Sequence, residues 1–240
     1  MNAYADHGAT PLVYSMFDIK YILSNKQIND DYTLELVDIV DSEYLYRAKY
    51  TLPLGYMVSK DINENWNYST SNPFAVQNDF VLDNTGISSL FTSIDFIDKD
   101  KSGITIEVEN DEHVYVYIAN KSVKTAKVSI GDSNENFAGI NHGRMIDLGW
   151  QTAGTNIEIV DKDGEESLNA MVYTMDTDKF IDAFNILNSQ GLNVTAYSDT
   201  KLTGTIKMKW QMLPPITNRW KISWLPKSFG SLSKIGSFNP

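Results

Sequence analysis

The sequence predicts a mainly β fold of the α+β class, in which an antiparallel β-sandwich or jelly-roll-like core carries an N-terminal α+β part and two main helices. Two observations predict this fold. From residue 103 onward, short segments alternate apolar and polar residues, with turn residues about every 8–12 positions, which is typical of a β-sandwich. By contrast, only two segments, at about 73–83 and 177–190, have apolar residues at helical spacing over more than two turns.

The N-terminal part combines a helical turn with several short strands. Residues 13–17 fit one helical turn, and residues 19–23 cluster the β-branched and aromatic side chains of a buried strand. Two further strands are predicted within 32–50 around a turn at 41–43, and a third is predicted at 55–59.

Each main helix has its own start signals. In the first, Ser71 or Asn72 is a candidate N-cap, Pro73 suits the first helical position, and Gly86 supplies a stop. In the second, Asp176 opens an amphipathic stretch whose apolar residues form one stripe. Acidic residues in its first turn favour the positive end of the helix dipole.

The strand-rich region begins after a polar run at 98–103, which is the best candidate for a domain boundary. We therefore predict an N-terminal α+β subdomain at 1–98 and a β-sandwich-like subdomain with an inserted helix at 99–240. Strands of the second subdomain are predicted at 104–108, 114–118, 126–130, 144–148, 156–160, 192–197, 202–210 and 220–224.

The composition excludes several classes of protein. The 240 residues include 31 acidic and 20 basic side chains, for a net charge of −11, and no cysteine. The acidic balance argues against binding to nucleic acid or to an anionic membrane surface. The missing cysteine excludes disulfide scaffolds, Fe–S clusters and thiol catalysis. No apolar run approaches the roughly 18–20 residues that span a bilayer.

No motif indicates a cofactor or a metal, so we expect neither. His7, His113 and His142 are far apart in the sequence and lack ligand partners at helical spacing. The acidic run at 161–166 superficially resembles a calcium loop, but its glycine comes too early for an EF-hand. A hairpin turn is the better interpretation of that run. A nucleophile elbow and a P-loop are both lacking.

The tryptophans have two interpretations. An exposed indole suits the apolar face of a pyranose, whereas core packing is the ordinary role of so large a side chain. Trp220 and Trp224 share one face of a predicted strand, and Trp66 stands in a polar, Asn-rich stretch. We take Trp66, Trp150, Trp220 and Trp224 as candidate carbohydrate-contacting residues.

Short segments in a characteristic order suggest a family. The most specific is Leu52-Pro53-Leu54-Gly55-Tyr56-Met57-Val58, which follows Thr10-Pro11-Leu12 and the run at 17–24 and precedes the run at 72–80. Weaker matches follow at 146–149, 176–187, 203–206 and 218–222, the last with Arg219 where the family has glycine. Over nearly the whole chain, these segments resemble the extracytoplasmic region of the YfhO family of bacterial multi-pass membrane proteins.

The resemblance implies a membrane-embedded glycosyltransferase that uses polyprenyl-phosphate sugar donors and decorates Gram-positive cell-wall polymers such as lipoteichoic acid. The catalytic acid of such an enzyme is expected in the N-terminal membrane half. No catalytic residue therefore maps onto this chain, and we expect the chain itself not to be an enzyme. Its expected partner is the membrane-embedded part of the same polypeptide, at the extracytoplasmic face of the bacterial membrane. The resemblance also implies a longer parent protein, in which the second subdomain continues past residue 240.

Two alternatives stay open. A secreted carbohydrate-binding β-sandwich module requires exposed, coplanar aromatic side chains, and a small β-rich glycoside hydrolase requires a carboxylate pair in a cleft. If the partner is a cell-wall polyanion, the net negative charge repels it unless a local basic patch faces it. Candidate residues for that patch are Lys201, Lys207, Lys209, Arg219 and Lys221.

Overall fold

The computed structural model of the chain describes residues 8–28, 30, 32–53, 55–99, 103–120, 122–163, 168–189, 193–194 and 206–207. Within these ranges the strands form antiparallel sheets and helices are few, so the predicted mainly β, α+β class is confirmed. No helix of the described ranges is both long and apolar enough to cross a membrane.

The elements follow one another from a mixed N-terminal part into a strand-rich part. The helices are α1 (Pro11–Met16), α2 (Ile62–Asn65), α3 (Pro73–Thr85) and α4 (Thr177–Ser189). The strands are β1 (Tyr21–Ser24), β2 (Leu34–Val40), β3 (Glu43–Ala48), β4 (Phe91–Ser93), β5 (Asp98–Lys99), β6 (Gly103–Glu107), β7 (Glu112–Ile118), β8 (Thr125–Ile130), β9 (Ser133–Ala138), β10 (Arg144–Gln151), β11 (Asn156–Asp161), β12 (Ala170–Met175), β13 (Asn193–Val194) and β14 (Ile206–Lys207). The sheet orders are β1-β3-β2, β10-β7-β12-β4, β5-β6-β11-β8-β9 and β13-β14.

Both main helices form where capping and periodicity predict them. Asn72 caps α3, because its Oδ1 atom accepts hydrogen bonds from the backbone N–H groups of Phe74 (3.0 Å) and Ala75 (3.2 Å). Gly86 ends that helix in the left-handed conformation, with φ of 77°. Asp176 caps α4 through the N–H of Lys179, at 3.0 Å.

The four-stranded sheet is the middle layer of the molecule. Along β7, alternate residues face opposite sides of this sheet. Val114, Val116 and Ile118 pack into a core shared with the five-stranded sheet, which gives the predicted sandwich. Tyr115 and Tyr117 pack instead into a second core, where the helices cover the sheet.

The helix-covered core draws on distant parts of the chain. Leu12 of α1, Phe74 of α3 and Phe180 of α4 are each no more than 1% exposed and belong to the same cluster. Its members come from both sides of residue 98, and the division into subdomains at that position stays a prediction.

The prediction of a strand at 55–59 is wrong. Only Tyr56 and Val58 form isolated bridges there, and no strand is assigned to the described residues of this segment. The backbone N–H of Ser59 donates instead to the Asn84 side chain of α3, at 2.7 Å. The segment therefore satisfies a backbone hydrogen-bond donor with a side chain of a helix rather than with a neighbouring strand. Val58 is buried in the helix-covered core.

Candidate functional site

A buried histidine between two aspartates is the most unusual polar cluster of the described residues. The Nε2 atom of His113 lies 2.5 Å from Oδ1 of Asp147, and its Nδ1 atom lies 4.0 Å from Oδ2 of Asp30. His113 and Asp30 are almost fully buried, whereas 28% of the Asp147 side chain is exposed. The cluster therefore reaches solvent through Asp147.

A β-bulge aligns this cluster. Register between β10 and β7 shifts between Asp147 and Gly149, and Gly149 has φ of 72°. Asp147 then lies opposite Tyr115, and Trp150 lies opposite His113. Residues three positions apart in a regular strand point to opposite faces. The bulge thus brings the carboxylate and the indole to the same face of the sheet as His113.

Asp30 reaches the cluster from the segment between β1 and β2. Its Oδ1 atom accepts hydrogen bonds from the N–H groups of Tyr32 (3.0 Å) and Thr33 (2.8 Å), and its Oδ2 atom accepts one from the Thr33 hydroxyl. These bonds keep the carboxylate of Asp30 in place against β7. The cluster therefore joins the N-terminal sheet to the middle layer.

The neighbouring charges decide the ionisation of His113. Burial by itself lowers the pKa of this imidazole, but the charges of Asp147 and Asp30 and the hydrogen bond to Asp147 outweigh it. The pKa of His113 is therefore raised above its ordinary value. A protonated imidazole is the species that pairs with both carboxylates.

Tyr115 completes the buried part of the cluster. Its ring stacks on the imidazole of His113 with centroids 4.6 Å apart and planes 6° apart. Burial raises the pKa of Tyr115 well above its ordinary value, and the charges of Asp147 and Asp30 raise it further. Among the described residues its hydroxyl has no hydrogen-bond partner, so it adds an unsatisfied polar group to a site that already holds charges.

An aromatic pair lies beside the carboxylates. The rings of Tyr32 and Trp150 stack with centroids 4.4 Å apart and planes 23° apart. Trp150 is half-buried, and Tyr32 is 48% exposed. Tyr32 follows Asp30 closely in the chain, and Trp150 lies opposite His113 in the sheet, so the pair borders the cluster. A ring face next to a partly exposed carboxylate suits contact with a hydroxylated ligand.

This arrangement favours binding over acid–base chemistry. His113 is 1% exposed, so a substrate proton could not reach its ring nitrogens without movement of the fold. The depression at the edge of the helix-covered core is too shallow to enclose even a water-sized volume, whereas ligand pockets usually enclose about 300–1,000 Å³. Its lining residues are Pro11, Tyr14, Thr33, Leu34, Ala48, Tyr50 and Phe180.

A second pair of carboxylates lies on α3. Burial raises the pKa of Asp83, and the charge of Asp79, one helical turn earlier, raises it further. Neither residue lines the depression described above.

The described part of the chain contains two of the candidate carbohydrate-contacting tryptophans. Trp150 belongs to the aromatic pair above. Trp66 is half-buried against the helix-covered core, where its indole N–H donates to the carbonyl oxygen of Val76 at 2.8 Å and its ring meets Phe80 at 5.3 Å. Core packing accounts for Trp66.

Most of the other candidates lie outside the described residues. These are Trp220, Trp224, Lys201, Lys209, Arg219 and Lys221, together with the open sheet edge expected at 201–224. Lys207 is described as part of β14, where it pairs with Asn193 of β13.

The sequence provided almost no signal for the cluster around His113. Its members are far apart in the chain, and the alternation of β7 places His113 among apolar residues. One local signal was present, because Gly149 interrupts an otherwise alternating strand and marks the bulge. No group of three or more metal-binding side chains that could hold an ion occurs in the described ranges.

Comparisons with known proteins are sparse. No family model and no curated protein matches the chain. Among solved structures, a GH26-CBM35 β-(1,4)-mannanase from Podospora anserina is 13% identical over 65% of this chain and 28% of its own, with a TM-score of 0.24. The β-glucosidase DesR from Streptomyces venezuelae, in complex with D-glucose, is 13% identical over 40% of this chain and 13% of its own, with a TM-score of 0.22. The chain thus spans less than a third of either protein, and TM-scores this low support no conclusion about fold or function.

Proposed function

We propose that this chain is the non-catalytic, extracytoplasmic domain of a membrane-embedded glycosyltransferase-like protein of the YfhO type. The parent protein transfers sugars from polyprenyl-phosphate donors to a cell-wall polymer such as lipoteichoic acid. The chain packs against the membrane-embedded part of the same polypeptide, at the outer face of the membrane.

The observation that supports this proposal is the convergence of the family-like segments. Leu12, Leu52, Phe74 and Phe80 come from three separate matched segments and are buried together in the helix-covered core. Phe180, from the later match at 176–187, joins them there. Segments that resemble one family in the same order thus also build one core, which supports treating them as parts of one structural unit.

Hydrogen bonds connect the same segments. The Thr10 hydroxyl donates to Oε1 of Gln77 at 2.5 Å, and the backbone N–H of Leu52 donates to the carbonyl oxygen of Ser15 at 3.1 Å. Thr10 and Gln77 are both buried, so each satisfies a polar group of the other. The first matched segment is thus bonded to the matched helix α3 and lies beside the most specific match.

The location of the domain can be tested by cysteine labelling, because the chain has no cysteine. In the full parent protein, freed of any other cysteine, Asn134→Cys introduces a thiol at an exposed position of strand β9, and Ser15→Cys introduces one at a position that is 1% exposed. We expect a membrane-impermeant maleimide to label the first in intact cells and the second only after denaturation. Labelling of Asn134→Cys only after lysis would place the domain inside the cell and reject the proposal.

The catalytic part of the proposal has a separate test. Purified chain should transfer no sugar from a polyprenyl-phosphate donor, while the full parent protein should do so. A parent gene that encodes only these 240 residues would contradict the proposal outright.

Carbohydrate binding is a second candidate function, favoured by the stacked Tyr32–Trp150 pair beside Asp147. Glycan-array binding should then be lost in Tyr32→Ala and weakened in Asp147→Asn. Tyr21→Ala is the matched control, since Tyr21 is also exposed, at 58%, but lies on strand β1. Absence of glycan binding by the unaltered chain, or equal loss in the control, would exclude this function.

A further inference from the structure

An exposed hairpin concentrates the uncovered apolar surface of the described chain. Strands β2 and β3 meet at a tight turn, where Asp41 and Ser42 have φ of 51° and 70°. Every residue of β2 after Leu34 is exposed, although neighbouring residues point to opposite faces of the sheet. Among the described residues, nothing therefore covers either face of this hairpin along β2.

The exposed apolar side chains are grouped rather than scattered. Six of the eleven large hydrophobic side chains exposed among the described residues lie on the β1-β3-β2 sheet, and each is at least 45% exposed. They are Tyr21, Leu23, Leu36, Val37, Ile39 and Val40. Grouped apolar surface of this kind marks an interaction site, and a thin sheet with two open faces gains stability from being covered.

The tip of the hairpin is also acidic. Asp38, Asp41 and Glu43 are exposed, and none of them pairs with a cation among the described residues. Arg47, near the base of the hairpin, is already paired with Glu35 at 2.6 Å. A partner of this surface therefore needs both positive charge and apolar side chains, which argues against an anionic lipid surface.

The chain itself contains a segment of that chemistry. Residues 208–240 include Lys209, Arg219, Lys221, Lys227 and Lys234 and no acidic residue, although the whole chain has a net charge of −11. The same segment contains three of the five tryptophans, at positions 210, 220 and 224. Its charge and apolar content complement the hairpin, and its tether to the chain gives it a high effective concentration there.

We propose that the C-terminal segment, residues 208–240, docks on the exposed β2–β3 hairpin of its own chain. Basic side chains of the segment pair with Asp38, Asp41 and Glu43, and its indoles cover the apolar side chains of β2. This proposal is independent of the proposed function, because it concerns one chain in solution. It also implies that the candidate polyanion-facing residues Lys209, Arg219 and Lys221 face carboxylates of the chain itself.

Zero-length carbodiimide cross-linking of the full chain, read by mass spectrometry, tests the proposal. We expect intramolecular bonds between hairpin carboxylates and Lys209 or Lys221, at a yield that does not depend on protein concentration. The triple variant Asp38→Lys, Asp41→Lys, Glu43→Lys should abolish these bonds, because it removes both the ion pairs and the carboxylates that react. Raising the salt concentration from about 0.05 M to about 0.5 M should also reduce the yield.

Charge reversal elsewhere is the matched control. Glu107, Glu109 and Glu158 are equally exposed in and beside the five-stranded sheet, and their replacement by lysine should leave the cross-link yield unchanged. Adding Lys209→Glu, Arg219→Glu and Lys221→Glu to the hairpin variant should restore cross-linking. The hairpin then supplies the amines and the C-terminal segment supplies the carboxylates. This restoration also shows that the fold tolerates the three hairpin substitutions.

Three results would overturn the proposal. The first is a lack of cross-links between the segment and the hairpin in the unaltered chain. The second is a yield that rises with concentration, which would make a second copy of the chain the occupant. The third is binding of the unaltered chain to anionic vesicles that is lost when Val37 and Val40 are replaced by aspartate, which would make a lipid surface the occupant.

Discussion

Nε2 of His113 lies 2.5 Å from Oδ1 of Asp147, and the two residues are 34 positions apart on neighbouring strands. The same Oδ1 atom accepts a hydrogen bond from the backbone N–H of Gly149 at 2.8 Å. The bulge that aims Asp147 at the imidazole is thus held by the carboxylate that it positions. Because Asp30 approaches the other ring nitrogen, protonated His113 links the N-terminal sheet to the middle layer of the fold.

Stability should fall as the pH rises past neutrality. The pKa of His113 is raised in the folded state, so its contribution is fully present below the unfolded value of about 6.5 and is lost as the pH rises through the higher folded value. Urea unfolding between about pH 6 and pH 9 measures how steeply the free energy of unfolding falls with pH, which is the slope in question. His113→Asn should remove it, and His142→Gln should not. An identical slope in the unaltered chain and in His113→Asn would contradict the assignment.

Removing the charge of Asp147 should lower the pKa of His113. In Asp147→Asn, burial still disfavours the imidazolium while one opposing charge is gone. Loss of this charged hydrogen bond should also lower the free energy of unfolding by about 1.5–3 kcal/mol. NMR titration of the His113 ring gives the pKa, and chemical denaturation gives the stability. An unchanged ring pKa would show that the contact does not persist in solution.

Truncation of Phe74 should severely weaken the helix-covered core. Its ring is fully buried, stacks on Tyr173 at 4.2 Å and meets Phe91 at 5.4 Å. Phe74→Ala should therefore cost about 3–5 kcal/mol of unfolding free energy through lost contacts and a residual cavity. Leu82→Ala, at a site 47% exposed on the same helix, should change stability by less than about 0.5 kcal/mol. Similar effects of the two substitutions would mean that α3 does not pack as described.

Substitution should separate the two roles of Asn72, which caps α3 and also contacts Tyr173. Besides capping the helix, Asn72 donates from Nδ2 to the hydroxyl of Tyr173 at 2.9 Å. Asn72→Ala loses both functions and should cost about 1–2 kcal/mol. Asn72→Asp keeps the capping oxygen and loses only the donor, so it should cost less in the same thermal-unfolding assay. Equal costs for the two substitutions would assign the stability to the Tyr173 contact rather than to the cap.

Local signals predicted helix α3 and strand β7 correctly, whereas the expectation of a buried strand at 19–23 is wrong, because Tyr21 and Leu23 of β1 are exposed. The residues that start and stop α3 act within one turn of its ends. Asn72, Pro73 and Gly86 could therefore be identified from the sequence alone. Alternation along β7 is equally local and correctly predicted a strand with two different faces. The strand expected at 55–59 failed because a distant side chain, Asn84, receives the backbone N–H of Ser59.

The cluster around His113 depended on tertiary structure. The cluster is formed by residues from separate elements, namely Asp30, His113 and Asp147. Their spacing along the chain does not indicate that they are in contact. The net charge and the missing cysteine are properties of the chain itself, and they exclude several classes of protein without any knowledge of the fold. The raised pKa of His113 and the shared face of Asp147 and Trp150 arise only when the bulge and the burial are in place, because both depend on distances between residues remote in sequence.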